Sequence, residues 1–219
     1  MRIQKSILSI VVLAVLALGC LGTAQADPVN VITGDLWRVP DGTAANAIPA
    51  NVPATAPDVT FDVNSPLSFS GTPIQTFLNS GGAFNITENT PGTLTSLISD
   101  GITGTLIQFT GFVTVTNGQT FTVTHDDGLT LIIGGVDLGF NPGPTAPITT
   151  VATYSGPSGT FPFQLVYGEC CRGSAVLQVD LPFSNVGGGA VPEPASLTLV
   201  GCGFLAMKGF AQRKRLKKK

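Results

Sequence analysis

The chain has 219 residues, of which 43% are hydrophobic and only 11% charged, with 27 Gly and 16 Pro. So apolar a chain is not disordered, and so many glycines and prolines exclude a helical bundle. The net charge of −2 hides a partition: residues 27–190 hold 12 acids against Arg38 and Arg172, while residues 191–219 hold seven bases and Glu193. The middle therefore has no cationic surface with which to grip a phosphate backbone, which excludes nucleic-acid binding.

Residues 1–26 read as a secretory signal peptide. Arg2 and Lys5 form a positive start, Ile7 to Leu18 an apolar core, and Ala24-Gln25-Ala26 a small-x-small cleavage site, with cleavage before Asp27. Cys20 opens a lipoprotein alternative, but Ala17-Leu18-Gly19 is a poor lipobox.

From 27 to 186 the pattern is that of an all-β, antiparallel β-sandwich domain. Apolar residues alternate with polar ones at Val59, Phe61 and Val63, then at Val113 and Val115, and at Phe121 and Val123. They do so again at Leu129, Leu131 and Ile133, along Phe161, Phe163, Leu165 and Tyr167, and along Ala175, Leu177, Val179 and Leu181. Period-2 runs bounded by turn residues are strands. Asn117-Gly118 reads as a hairpin turn between two Thr-rich strands, and Asp127-Gly128 as a second turn. Pro73 to Asn79, closed by Gly81, is the one helix candidate. The Ala- and Pro-rich 46–57 segment and the three-proline 141–147 segment read as surface loops, and 187–190 as a Gly linker. Trp37 and Tyr154 could stack on sugar rings, although aromatic residues pack in cores by default.

Part of this region resembles a known module. Phe109-Thr110-Gly111-Phe112, Gly118 and Phe121-Thr122-Val123 lead to His125-Asp126-Asp127-Gly128 and the strand Leu129 to Ile133. Later, Phe161 to Glu169 runs into Cys170-Cys171-Arg172-Gly173 and the strand Ala175 to Leu181. In this order the motifs resemble the anthrax-protective-antigen-type β-sandwich module of flocculins, adhesins and some glycosidases, over Gln108 to Pro182.

The resemblance implies a calcium site. Calcium takes about six to eight oxygen ligands, with carboxylates as anchors. Neighbouring side chains on a regular strand point to opposite faces, so Asp126 and Asp127 can share an ion only where the backbone leaves strand geometry. The adhesin branch does so with a cis Asp-Asp peptide. A later Asn completes its site, and Glu169 stands at that position here. The implied metal set is Asp126, Asp127 and Glu169. The loop Cys170, Cys171, Arg172 and Gly173 would supply backbone carbonyls and face a sugar. Read without the resemblance, Asp126-Asp127-Gly128 is a solvated turn.

Cys170 and Cys171 are the cysteines that remain between the two ends, and an exported location favours disulfides. Consecutive Cα atoms are about 3.8 Å apart, closer than a relaxed disulfide prefers. A vicinal bond, two free thiols and an intermolecular link all stand open. His125 is the single histidine, and no serine in an activating context accompanies it. Catalysis needs nucleophile, base and orienter together, so the chain reads as a non-enzyme.

The tail is a second address. Val191-Pro192-Glu193-Pro194 precedes an apolar stretch from Ala195 to Met207, then Lys208 and the Arg213 to Lys219 basic run. Pro194 to Ala211 reads as a short transmembrane helix with the basic end held in the cytoplasm. Proline-glutamate-proline, short span and basic terminus together resemble the PEP-CTERM sorting signal of exopolysaccharide-producing Gram-negative bacteria. That resemblance implies exosortase as a partner, passage through the inner membrane, and delivery to the cell surface or extracellular matrix. The expectation from sequence is an exported binding or adhesion protein, calcium-dependent and carbohydrate-directed. The alternative is a structural protein of the exopolysaccharide matrix with no discrete ligand.

Overall fold

A computed structural model describes residues 31–181. The signal peptide, the Gly linker, the Val191 to Pro194 motif and the transmembrane segment expected from sequence lie outside the described residues. Among the described residues no helix is long and apolar enough to cross a membrane.

Among the described residues, eleven strands form two antiparallel sheets. In chain order they are β1 (Val31–Pro40), β2 (Val59–Asn64), β3 (Leu67–Gly71), β4 (Phe84–Glu88), β5 (Thr103–Val115) and β6 (Thr120–Asp126). There follow β7 (Gly128–Ile133), β8 (Val136–Asp137), β9 (Ile148–Thr153), β10 (Gly159–Glu169) and β11 (Ala175–Val179). One sheet runs β4-β2-β1-β5-β10-β7-β8 and the other β3-β11-β6-β9. A short helix, Ile74–Ser80, follows β3 and ends at Gly81, one residue along from the segment expected.

Alternation places one face of each strand in a shared core. Leu36, Phe61, Ile107, Phe109, Leu131 and Leu165 of the larger sheet meet Leu67, Phe69, Phe121, Val123 and Leu177 of the smaller one, all buried. Phe69 links the two layers. Its ring centroid lies 6.3 Å from Phe61, 5.6 Å from Phe109 and 5.0 Å from Phe77 of the helix. Aromatic pairs at such separations add to area burial. Gly34, the cross-strand partner of Phe61, leaves room for that ring: a Cβ there would sit 2.3 Å from it.

Two expectations about connections are corrected. Asn117-Gly118 does turn the chain, with Gln119 N–H donating to Thr116 O at 3.0 Å. Yet β5 and β6 lie in different sheets, so the turn crosses the sandwich rather than closing a hairpin. Asp127-Gly128 likewise carries the chain from β6 in one sheet to β7 in the other. Alternation reports which residues face inward, and it is the same for either kind of connection. The 46–57 segment is also more than a surface loop. Ala47 is fully buried against Trp37, Leu106 and Val166 on the outer face of the larger sheet, forming a second small core.

Candidate functional site

Two of the passages between the sheets come together at one end of the sandwich. One is β6 to β7 through Asp127, and the other is β10 to β11 through residues 170–174. The start of β5 and the helical turn Asp41–Ala44, which follows β1, lie beside them, since Glu169 pairs with Thr105 and Pro40 with Thr103.

Gly128 and Gly168 are cross-strand partners on β7 and β10. A Cβ on Gly128 would lie 2.0 Å from Pro142 O, and one on Gly168 2.2 Å from Ala44 O. This bare pair lets two loop backbones close onto the sheet beside the acidic residues. Any larger residue would lift them away, because the clash is with backbone and not with a flexible side chain.

The Asp126–Asp127 peptide is cis, as is Ser65–Pro66. Asp127 is buried, and each oxygen of its carboxylate accepts one backbone bond. Oδ2 accepts the Cys170 amide at 2.9 Å and Oδ1 the Thr145 amide at 3.1 Å. Its carbonyl accepts a bond from His125 Nδ1 at 2.5 Å, which fixes the imidazole proton on that nitrogen. The 141–147 loop therefore holds the turn as well as covering it.

Asp126 differs. Its side chain is half-buried and makes no hydrogen bond among the described residues. Burial, and then the charge of Asp127, raise its pKa to about 6. Glu169 is buried, and its Oε2 accepts the Tyr167 hydroxyl at 2.8 Å. The same hydroxyl also lies against the Asp126 carbonyl, so its one proton is shared between the two acceptors. Burial raises the Glu169 pKa to about 8, opposed by the Tyr167 bond and reinforced by the charges of Asp127 and Asp126. The nearby Asp127 amide lowers it in part. Desolvation pushes the Tyr167 phenol well above its ordinary range.

The three residues expected from sequence thus lie beside one another, Asp126 joined to Tyr167 and Glu169 through its backbone carbonyl and not its carboxylate. Asp126 is the most open of the three, and Glu169 is the more deeply buried, joined to the pair through Tyr167. The tightest grouping of acidic and sulfur side chains among the described residues is a different one. Single ligand atoms of Asp41, Cys170 and Cys171 all lie within 4.8 Å of one another. Those sulfurs are bonded to each other in a vicinal disulfide, so they are not thiolate ligands. Asp41 was not singled out by sequence. It carries no motif, and only the fold brings its Oδ1 to the Cys171 amide, 3.0 Å away and 130 residues along the chain.

The set has the chemistry that a hard divalent cation takes, but among the described residues Asp126, Asp127 and Glu169 do not bring one carboxylate oxygen each within 4.8 Å of one another. The set consists of oxygens, the acidic groups repel one another, and the Asp126 carboxylate is unspent. Cys171, Arg172 and Gly173 are exposed, with Cys171 and Arg172 at positive φ of 65° and 70°. Ser99 Oγ accepts the Arg172 amide at 3.2 Å and donates to Asp41 Oδ1 at 3.0 Å. Trp37 and Tyr154 are both buried, Trp37 donating to Thr55 O at 2.9 Å, so neither offers a ring face to a sugar. The sequence could not separate that outcome from stacking, since both use the same apolar ring.

No family model matches the chain, and no curated protein matches it. Solved structures do. A PA14 sugar-binding domain from an RTX adhesin superposes with a TM-score of 0.53 at 21% identity, covering 70% of this chain and 90% of that one. The fold is that of a PA14 domain. A PA14 domain of the MpAFP antifreeze protein gives a TM-score of 0.48 at 22% identity, covering 77% of this chain and 90% of that one.

Proposed function

We propose that the chain is an exported binding module of the cell surface or extracellular matrix, which holds calcium at one end of its sandwich and takes carbohydrate there. The observation that carries this reading is the Asp126–Asp127 turn. One carboxylate is locked by two backbone amides, and its neighbour is held beside it with no partner. Asp126 and Asp127 would hold the ion directly. Glu169 would keep the turn in place through Tyr167 and would add charge from the interior once the ion lowers its raised pKa. Carbonyls of the Cys170 to Gly173 loop would complete the oxygen set. Bound calcium would supply open coordination positions for a pair of sugar hydroxyls.

The role is non-catalytic. His125 is buried and committed to the Asp127 carbonyl, which suits a support for the turn. Under this reading the signal peptide exports the chain, and the tail with Val191, Pro192, Glu193 and Pro194 presents it to exosortase. The likeness to the sugar-binding domain of the RTX adhesin supports carbohydrate as the ligand class. The test is binding of the full-length chain to an array of glycans in calcium and in chelator. Capture that chelator abolishes supports the reading. Absence of any glycan signal in calcium returns the chain to a structural role in the matrix.

A further inference from the structure

The disulfide loop has two flanks. Cys170 and Cys171 face Asp127 and Asp41 through their amides, while Arg172 and Gly173 line an open groove of about 360 Å³ with Thr72, Leu97, Ser99 and Asp100. Resting on the reading that this loop faces a sugar, we infer that the groove binds an acidic sugar, with its carboxylate on the guanidinium of Arg172.

The described domain has two cationic side chains, Arg38 and Arg172. Arg38 is spent internally, with Nη1 donating to Ile98 O and Thr105 Oγ1, both at 2.6 Å, and Nη2 to Thr103 O at 3.2 Å. Arg172 is exposed and built into a seat. Its Nε donates to Asp100 O at 2.9 Å, and its stem crosses Gly101, where a Cβ would lie 2.7 Å from Nε. Gly101 has a φ of +82°, which suits glycine. Its Nη1 and Nη2 make no hydrogen bond among the described residues. They form the edge that pairs with a carboxylate through two parallel bonds.

The rest of the groove suits one sugar ring. Leu97, 46% exposed, offers an apolar surface for the C–H face of a ring. Thr72 and Asp100 offer polar atoms for hydroxyls. A volume of this size is at the small end for ligand pockets. The acidic surroundings, twelve acids between residues 27 and 190, repel a dense polyanion. The ligand class is therefore a glycan with isolated carboxylates, such as uronic acid residues.

The test compares a trisaccharide that carries one uronic acid beside two neutral sugars with its carboxyl-reduced trimer on the full-length chain, at fixed free calcium and moderate salt, by calorimetry. The wild type should bind the acidic trimer about tenfold more tightly, the scale of a charge-assisted pair. R172Q should bind both trimers alike. G101A keeps the charge but displaces the side chain, and it should lose most of the preference, which a long-range field effect would not produce. Equal binding of the two trimers by the wild type, or a preference retained in R172Q, overturns the inference. Calcium-dependent binding without acid preference does so while leaving the calcium reading intact. A preference that needs Arg172 but survives chelator supports the inference and removes calcium from the account. Binding of neither trimer overturns the inference.

Discussion

The amide of Cys170 donates to Asp127 Oδ2 across 43 residues of chain, and so ties the disulfide loop to the acidic turn. Asp127 is thereby structural as well as acidic, while Asp126 is acidic without a structural bond. The two should separate on mutation. Asp127→Ala strands two backbone donors, one of them on fully buried Cys170, and should cost about 2–4 kcal/mol. Asp126→Asn should not destabilise, and above about pH 6 in chelator it should stabilise modestly, because it removes a carboxylate whose folded pKa is raised. Denaturant melts of the two variants in chelator check the contrast.

Glu169 and Asp126 set a pH dependence in the metal-free chain. Their folded pKa values are raised to about 8 and about 6, against ordinary values of 4.5 and 3.8. The folded state then binds more protons than the unfolded state between those limits, so stability falls as pH rises. It should be highest below about pH 4, as far as these two groups decide it, and its decline should be complete above about pH 8. Thermal melts from pH 4 to 9 in chelator should show this slope, and Glu169→Gln should flatten its upper part, between about pH 6 and 8.

The Cys170–Cys171 bond joins adjacent residues and closes the smallest of loops, so it restrains the unfolded chain very little. Reduction should shift stability by about 1 kcal/mol or less. It should nevertheless weaken glycan binding, because it frees the loop whose amides meet Asp127 and Asp41. Melts and binding on the same reduced sample separate the two effects.

Gly128→Ala should be disproportionately harmful for one methyl group. The new Cβ would sit 2.0 Å from Pro142 O, and relief requires moving the loop that carries Thr145. A loss of about 1–3 kcal/mol is expected, together with weakened calcium binding, measured by melts with and without the ion.

Much of the sandwich was legible in sequence because period-2 alternation is strong in β2, β5, β6, β7, β10 and β11. β1 was not. Gly34, Asp35 and Arg38 interrupt its pattern, and the strand is covered on both faces, by Phe61 on one and by the 46–57 segment on the other. β9 was hidden for the opposite reason, since its edge position leaves Ile148 and Val151 exposed and its alternation weak. At the site, Asp126, Asp127 and Glu169 were visible as motif residues. Asp41, Ser99 and Thr145 were not, because each acts through long-range bonds to a backbone amide or a distant side chain, and such bonds leave no local spacing to read.

The most direct test of a calcium-holding acidic turn is titration of calcium into the full-length chain by calorimetry, beside Asp126→Asn. The account predicts saturable binding by the wild type and none by the variant, with the variant's melting temperature in chelator no lower than the wild type's. No heat from the wild type, or an undiminished isotherm from Asp126→Asn, would contradict it.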